Sequence, residues 1–186
     1  MVPLSSLALP ILGSAVVVFV VSSIVHMVLQ YHKNDFKKVP DEDATLDALR
    51  RLDIPPGDYV APHAGGPEGM KKREFIEKAK KGPIVVMTLA PGGPVSMGSS
   101  LVQWFLFSVL VSLFAAYIAS RTLEPGTSYL SVFRVVGTAS FMAYSFGYIP
   151  NSIWYKKAWS TTLKIVFDGL VYALFTAAVL GWLWPR

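Results

Sequence analysis

Four stretches of this sequence run for 20 residues or more with almost no charge, and they dictate how the rest of the chain can be arranged. A helix needs about 20 apolar residues to cross a hydrocarbon core of about 30 Å. Residues 7–30 and 99–120 qualify with no charged residue at all. Residues 128–149 contain only Arg134, and residues 158–184 contain Lys164 and Asp168 near their start. Lipid offers no partner to a backbone N–H or C=O, so segments of this kind are forced into helices. The β-branched run Val16 to Val18, Val20 and Val21 yields to that requirement. The first stretch is too long for a cleaved signal and has no basic residue ahead of it, which predicts a retained anchor. The expected fold is an all-α integral membrane protein. It is a four-transmembrane-helix bundle with a small, partly helical cytoplasmic insertion between helices 1 and 2. The predicted organisation is a first transmembrane helix over 1–30, a polar segment over 31–98, and a three-helix transmembrane region over 99–186.

Charge distribution orients the bundle. Of 29 charged residues, 21 lie between Lys33 and Lys81, so the insertion holds most of the charge in a chain that is only 16% charged. Its 11 basic residues are nearly balanced by 10 acidic ones, and no basic stripe interleaves with aromatics, which argues against nucleic acid as a partner. Lys156, Lys157 and Lys164 fall on the same side as the insertion, while Arg121, Arg134 and Arg186 fall on the other. The positive-inside rule then places the insertion in the cytoplasm and both termini outside. Tyr31, Trp104, Trp154 and Trp159 fit the inner interface; Tyr117, Tyr129, Trp182 and Trp184 fit the outer one. There is no cysteine, which removes disulfides and thiolate chemistry.

Within the insertion, Asp43 is expected to cap a short helix carrying Leu46, Leu49 and Leu52, ended by Pro55-Pro56-Gly57. A second helix is expected from Pro67 to Gly82, with Lys78, Lys80 and Lys81 in its last turn. Residues 84–89 read as a strand or a membrane-surface segment. Lys71, Lys72 and Arg73 are candidate contacts for lipid headgroups, set against the simpler reading of a solvated face diluted by Glu68, Glu74 and Glu77.

Packing signals lie in the spans. Gly169, Ala173, Ala177 and Gly181 recur every four residues, and Ala139, Ala143 and Gly147 repeat that spacing, as do Ser108, Ser112, Ala116 and Ser120. Such stripes let helix backbones approach closely in lipid. They suit a compact bundle, and equally a homo-oligomer or a larger membrane complex. An ionisable residue inside a membrane costs about 2.5–3.5 kcal/mol on insertion scales and therefore calls for a partner. Helical register predicts a polar layer of His26, Gln103, Tyr144, Lys164 and Asp168, with Lys164 and Asp168 paired at i, i+4. Two readings compete for this layer: a proton relay or substrate site, and a hydrogen-bond network that fixes helix register. Arg134 is expected to snorkel to the headgroups and to meet Glu124. His26 and His32 do not share a helix face, and His63 lies in the insertion, so no metal or other cofactor is expected.

Several motifs carry a resemblance. They are Lys37-Lys38-Val39-Pro40-Asp41-Glu42-Asp43, Leu49-Arg50-Arg51, Pro55-Pro56-Gly57-Asp58-Tyr59, Pro62-His63-Ala64, Val132-Phe133-Arg134 and Asn151-Ser152-Ile153-Trp154. Together they resemble a group of small bacterial membrane proteins with no activity attached. The resemblance implies a bacterial origin and an inner-membrane location, and transfers no catalytic role. The chain has no Walker loop, dinucleotide fingerprint or Ser-His-Asp signature. The expectation is a non-enzymatic accessory, scaffold or assembly subunit. The alternative is a transporter or enzyme built on the polar layer around Asp168 and His26.

Overall fold

A computed structural model describes residues 1–94 and 96–186. In chain order its elements are α1 (Ala8–Ser23), α2 (Glu42–Arg51), β1 (Gly57–Ala61), α3 (Pro67–Met70), α4 (Arg73–Lys81), β2 (Val85–Leu89), α5 (Gly98–Thr122), α6 (Tyr129–Ser145), α7 (Ile149–Tyr155) and α8 (Trp159–Trp182). A 3-10 turn, Leu4–Leu7, precedes α1, and a wide π-helical turn, Ile24–Leu29, extends it. The chain divides into two compact units: Met1–Lys37 with Ser96–Arg186, and Lys38–Val95.

The first unit is a helical bundle. Three of its helices are long and apolar enough to cross a membrane: Leu4–Leu29, Gly98–Thr122 and Trp159–Trp182. The fourth, α6, has 17 residues, which makes it about 26 Å long at 1.5 Å per residue. It stops at Ser145, four residues short of the expected end of the third span, and passes through a 3-10 turn into α7. Pro150 explains the break. A proline has no N–H to give to the carbonyl four residues back, and its ring crowds that carbonyl.

Around the bundle the helices touch in the order α1, α5, α6, α8 and back to α1, with α6 and α8 the most extensively packed pair. Side-chain placement is inverted relative to a water-soluble bundle. On α5 the buried positions include Ser108, Ser112, Ala115, Ala116, Ala119 and Ser120, while Leu106, Leu110, Phe114 and Ile118 are exposed. Water would drive those large side chains inward. Lipid makes no such demand, and close packing of small residues is what brings helices together there. This pattern, with the three long apolar helices, fits a membrane protein. Interhelical hydrogen bonds add to it: Ser14 Oγ donates to Ser112 Oγ at 2.9 Å, and Trp104 Nε1 to Ser22 Oγ at 2.8 Å.

The small-residue stripes map unevenly onto these contacts. Gly169, Ala173, Ala177 and Gly181 are all buried. A Cβ at Gly169 would lie 2.1 Å from Ser145 Oγ, and one at Gly181 would lie 3.0 Å from the Tyr129 ring. On α6 the buried row is Val132, Val136, Ser140 and Tyr144, not the predicted alanine-glycine stripe. Ala139 is half-buried, whereas Ala143 and Gly147 are exposed, and a Cβ on Gly147 would meet nothing within 4 Å.

The second unit departs from an all-α description. β1 and β2 pair antiparallel from Gly57 opposite Leu89 to Ala61 opposite Val85. The strand over 84–89 therefore has a partner that the sequence reading missed. The cap of α2 is Asp41, whose Oδ1 accepts from Ala44 N at 2.9 Å, rather than Asp43. This arrangement puts Glu42 and Asp43 in the first turn, where the helix dipole favours them. The predicted helix over 67–82 is two pieces, α3 and α4, interrupted at Lys71 and Lys72. Gly82, with φ +62, ends α4. No described residue of this unit is buried.

Candidate functional site

Asp168 and Glu124 are the only acidic residues outside the stretch from Lys33 to Lys81, and Asp168 is the one buried in the bundle, at 4% exposed. Its carboxylate is met from the far end of α1. Beyond the π-helical turn, Gln30 takes a left-handed backbone conformation, with φ 49 and ψ 20. For a residue with a Cβ that conformation costs about 1–2 kcal/mol. It reverses the chain, and residues 31–35 fold back onto α8, held by backbone bonds from Lys33 N to Gln30 O and from Asp35 N to His32 O.

A closed polar clasp results. Tyr31 Oη donates to Asp168 Oδ1, and His32 Nε2 faces Asp168 Oδ2 at 2.7 Å. The other ring nitrogen of His32, Nδ1, faces Asp35 Oδ2 at 2.6 Å. Lys164 Nζ donates to Asp35 Oδ1 at 2.6 Å and to the Tyr31 carbonyl at 2.8 Å. The strain at Gln30 is thus offset by several charge-assisted bonds. Lys164 does not pair with Asp168, as i, i+4 spacing predicts. Tyr31 and His32 engage the Asp168 oxygens, and Lys164 reaches across to Asp35.

The predicted layer divides. Lys164 and Asp168 are in the clasp, and His26 borders it. The exposed His26 ring lies flat on His32, with centroids 4.9 Å apart and planes 2° from parallel, while its Nδ1 sits 3.0 Å from the Ser22 carbonyl. Helical spacing alone separates these two histidines; the reversal at Gln30 brings them together. Gln103 is exposed and bonded to Ser99 Oγ at 3.0 Å, outside the clasp. Tyr144 is buried among Trp104, Phe107 and Tyr172, and its hydroxyl has no hydrogen-bond partner among the described residues. The sequence reading missed Tyr31, His32 and Asp35 as partners of Asp168. The available signal was a His-x-x-Asp pair directly after an apolar span whose bundle holds one unmatched acid.

Other candidate residues are solvated or paired locally. Arg134 is exposed, and Glu124 is bonded to the amine of Met1 at 2.7 Å instead. Lys71 pairs with Glu68 at 2.7 Å and Arg73 with Glu77 at 2.6 Å, all largely exposed, contacts of small energetic weight. Lys72 is exposed at the start of α4.

Burial alone would raise the Asp35 carboxyl. Hydrogen bonds from Lys164 and His32, with the charges of the same two groups, outweigh it and hold Asp35 below the ordinary carboxylate value. A depressed folded-state value contributes stability at pH above the unfolded value and loses it as pH falls through the folded one. Asp35→Asn is therefore expected to lower the melting temperature in detergent at neutral pH. The gap from the parent protein should close under acid conditions, below the ordinary carboxylate range. A gap that stays constant from neutral to strongly acid pH would exclude an ionised Asp35 from the clasp.

Comparison of the chain with family models, curated proteins and solved structures finds no match.

Proposed function

We propose that this chain is a non-enzymatic accessory or assembly subunit of a bacterial cytoplasmic membrane, crossing it four times with the insertion inside and both termini outside. The resemblance noted above supports the compartment, and the distribution of Lys and Arg supports the orientation. The observation that carries the accessory role is the insertion itself. Residues 38–94 form regular elements, yet none of them is buried. One face of the hairpin, with Tyr59, Val85, Met87 and Leu89, is only half-buried and the other is open, and a two-stranded hairpin so thinly covered is marginally stable. Val60 and Val86 stand directly opposite each other in the hairpin and are 42% and 48% exposed; Ile84, Leu46, Leu52 and Met70 are exposed as well. Val60 and Val86, paired on the open face of the hairpin, give an otherwise charged segment an apolar spot suited to docking to another protein.

Purification of the full chain in mild detergent is expected to bring one other protein along in fixed ratio. Val60→Asp with Val86→Asp should release it and leave the bundle folded. A chain that crosslinks to no other protein in native membranes would sink the accessory role. The absence of native cysteine makes orientation testable by single substitutions. Cysteine at Asp53 should label only after permeabilisation, and cysteine at Thr127 from outside the cell.

A transporter or enzyme remains the second reading, favoured by the burial of Asp168 and its link to two histidines. It requires Asp168→Asn to abolish a measurable flux or turnover in protein that is still folded.

A further inference from the structure

We infer that His26, His32 and Asp168 form a binding site for one divalent transition-metal ion, with zinc the cation best suited to two imidazoles and one carboxylate. The inference goes beyond the accessory role and does not depend on it. One donor atom from each residue lies within 4.8 Å of those from the other two. Ligands about 2.0–2.1 Å from a tetrahedral zinc stand about 3.3 Å apart. His32 Nε2 and Asp168 Oδ2, now 2.7 Å apart, need to part by about half an ångström. An imidazole binds an ion in its own ring plane, and the two rings are stacked parallel, so His26 must tilt out of the stack to share the ion; it is exposed and rides on the wide π-helical turn, which gives it room to do so.

The surroundings of the two rings argue for metal as well as the spacing does. A metal-bound imidazole almost always donates its other N–H to a carboxylate or a backbone carbonyl, which fixes tautomer and orientation. Both kinds of acceptor are in place: the Ser22 carbonyl 3.0 Å from His26 Nδ1, and Asp35 Oδ2 2.6 Å from His32 Nδ1. With Nδ1–H directed at Ser22, His26 Nε2 is left as the free lone pair. With Nδ1–H directed at Asp35, His32 Nε2 turns a lone pair toward a carboxylate oxygen. Two lone pairs at 2.7 Å repel unless a cation stands between them. A proton, making His32 an imidazolium, is one solution; a divalent ion shared with His26 is the other. Only the second uses His26, which stacks beside the pair with a free nitrogen. Lys164, bonded to Asp35 Oδ1, orients the carboxylate that orients His32. Three protein ligands leave a fourth position open. The summed charge of zinc, Asp168, Asp35 and Lys164 leaves one positive charge, which favours an anion there.

The test uses the full chain without a polyhistidine tag, purified in detergent with whatever accompanies it, stripped with chelator and then given Zn2+. Expected are one Zn2+ retained per chain and, with Co2+ as the probe, a visible ligand-field spectrum. His26→Gln changes an exposed side chain and should fold normally, yet lose both signals. Asp35→Asn should keep the Co2+ spectrum but weaken Zn2+ binding about 10–100-fold. Gln103→Ala and His63→Gln should change neither. If folded parent protein binds no more Zn2+ than His26→Gln, the cation between His32 Nε2 and Asp168 is a proton and the inference fails. It fails too if His63→Gln, not His26→Gln, removes the metal. Loss or retention of a co-purifying protein is read separately, so either proposal can fall without the other.

Discussion

Gly169→Leu is expected to part α6 from α8 and to leave little folded protein after extraction. Even a methyl group at this position would sit 2.1 Å from Ser145 Oγ and 3.2 Å from both the carbonyl carbon and the Cβ of Tyr144. Alanine is survivable: Ser145 can rotate away, giving up its hydrogen bond to the Val166 carbonyl at 3.3 Å, at an overpacking cost of about 1–3 kcal/mol. Leucine adds three more carbons against a backbone that cannot rotate. The only relief is to move the two helices apart, and this pair is the most extensive contact of the bundle. The loss should exceed about 3 kcal/mol, a large share of the roughly 5–15 kcal/mol that holds a typical domain together. Denaturant titration in detergent and size exclusion read it directly. Gly147→Leu is the control, since a Cβ there meets nothing within 4 Å, and its monomer should be as stable as the parent. If Gly147→Leu instead dissociates a multimer, the exposed Ala143 and Gly147 face joins copies of the chain. Parent-like stability of Gly169→Leu would mean that α6 and α8 do not pack as described.

The long helices were legible because a bilayer leaves one backbone solution, so length and apolarity suffice. Helix rotation was less so. The stripe from Gly169 to Gly181 faces the bundle, but on α6 the row from Val132 to Tyr144 takes that place, while at the same spacing Ala139 is only half-buried and Ala143 looks outward. Small residues permit close approach without specifying it, and tertiary packing chose between two faces of similar character. The hairpin was half visible. Val85–Leu89 has strand composition, while its partner Gly57–Ala61 begins with residues that read as a helix stop. The clasp was legible from one side only. Asp168 stood out because charge is costly in a span, yet its partners depend on a left-handed turn at Gln30. Glutamine carries no signal for that conformation, unlike glycine or asparagine. Helical register then supplied the wrong partner, Lys164, for want of any hint that residues 31–35 turn back.

Asp168→Ala is expected to be the most damaging single change at the clasp. It leaves Tyr31 Oη and His32 Nε2 without their acceptor. Removing one member of a buried ionic set costs about 3–5 kcal/mol. The lower end applies here, because His32 keeps Asp35 as its second partner. A double-mutant cycle separates this coupling from lost packing. If the clasp holds residues 31–35 on α8, Asp168→Ala and His32→Ala together should cost about 1–3 kcal/mol less than the sum of the two singles. Working in excess chelator keeps any metal out of the measurement. Asp168→Asn should fall between Ala and the parent, since the amide oxygen still accepts one bond while the charge is gone. The consequence should also be local: once the acceptor is lost, only the Lys164 bonds to Asp35 and to the Tyr31 carbonyl are left to offset the left-handed conformation at Gln30. Hydrogen exchange at residues 31–35 should then quicken well before exchange in the middle of α8. Strict additivity in the cycle, with unchanged exchange at 31–35, would mean that the end of α1 reaches its position without Asp168.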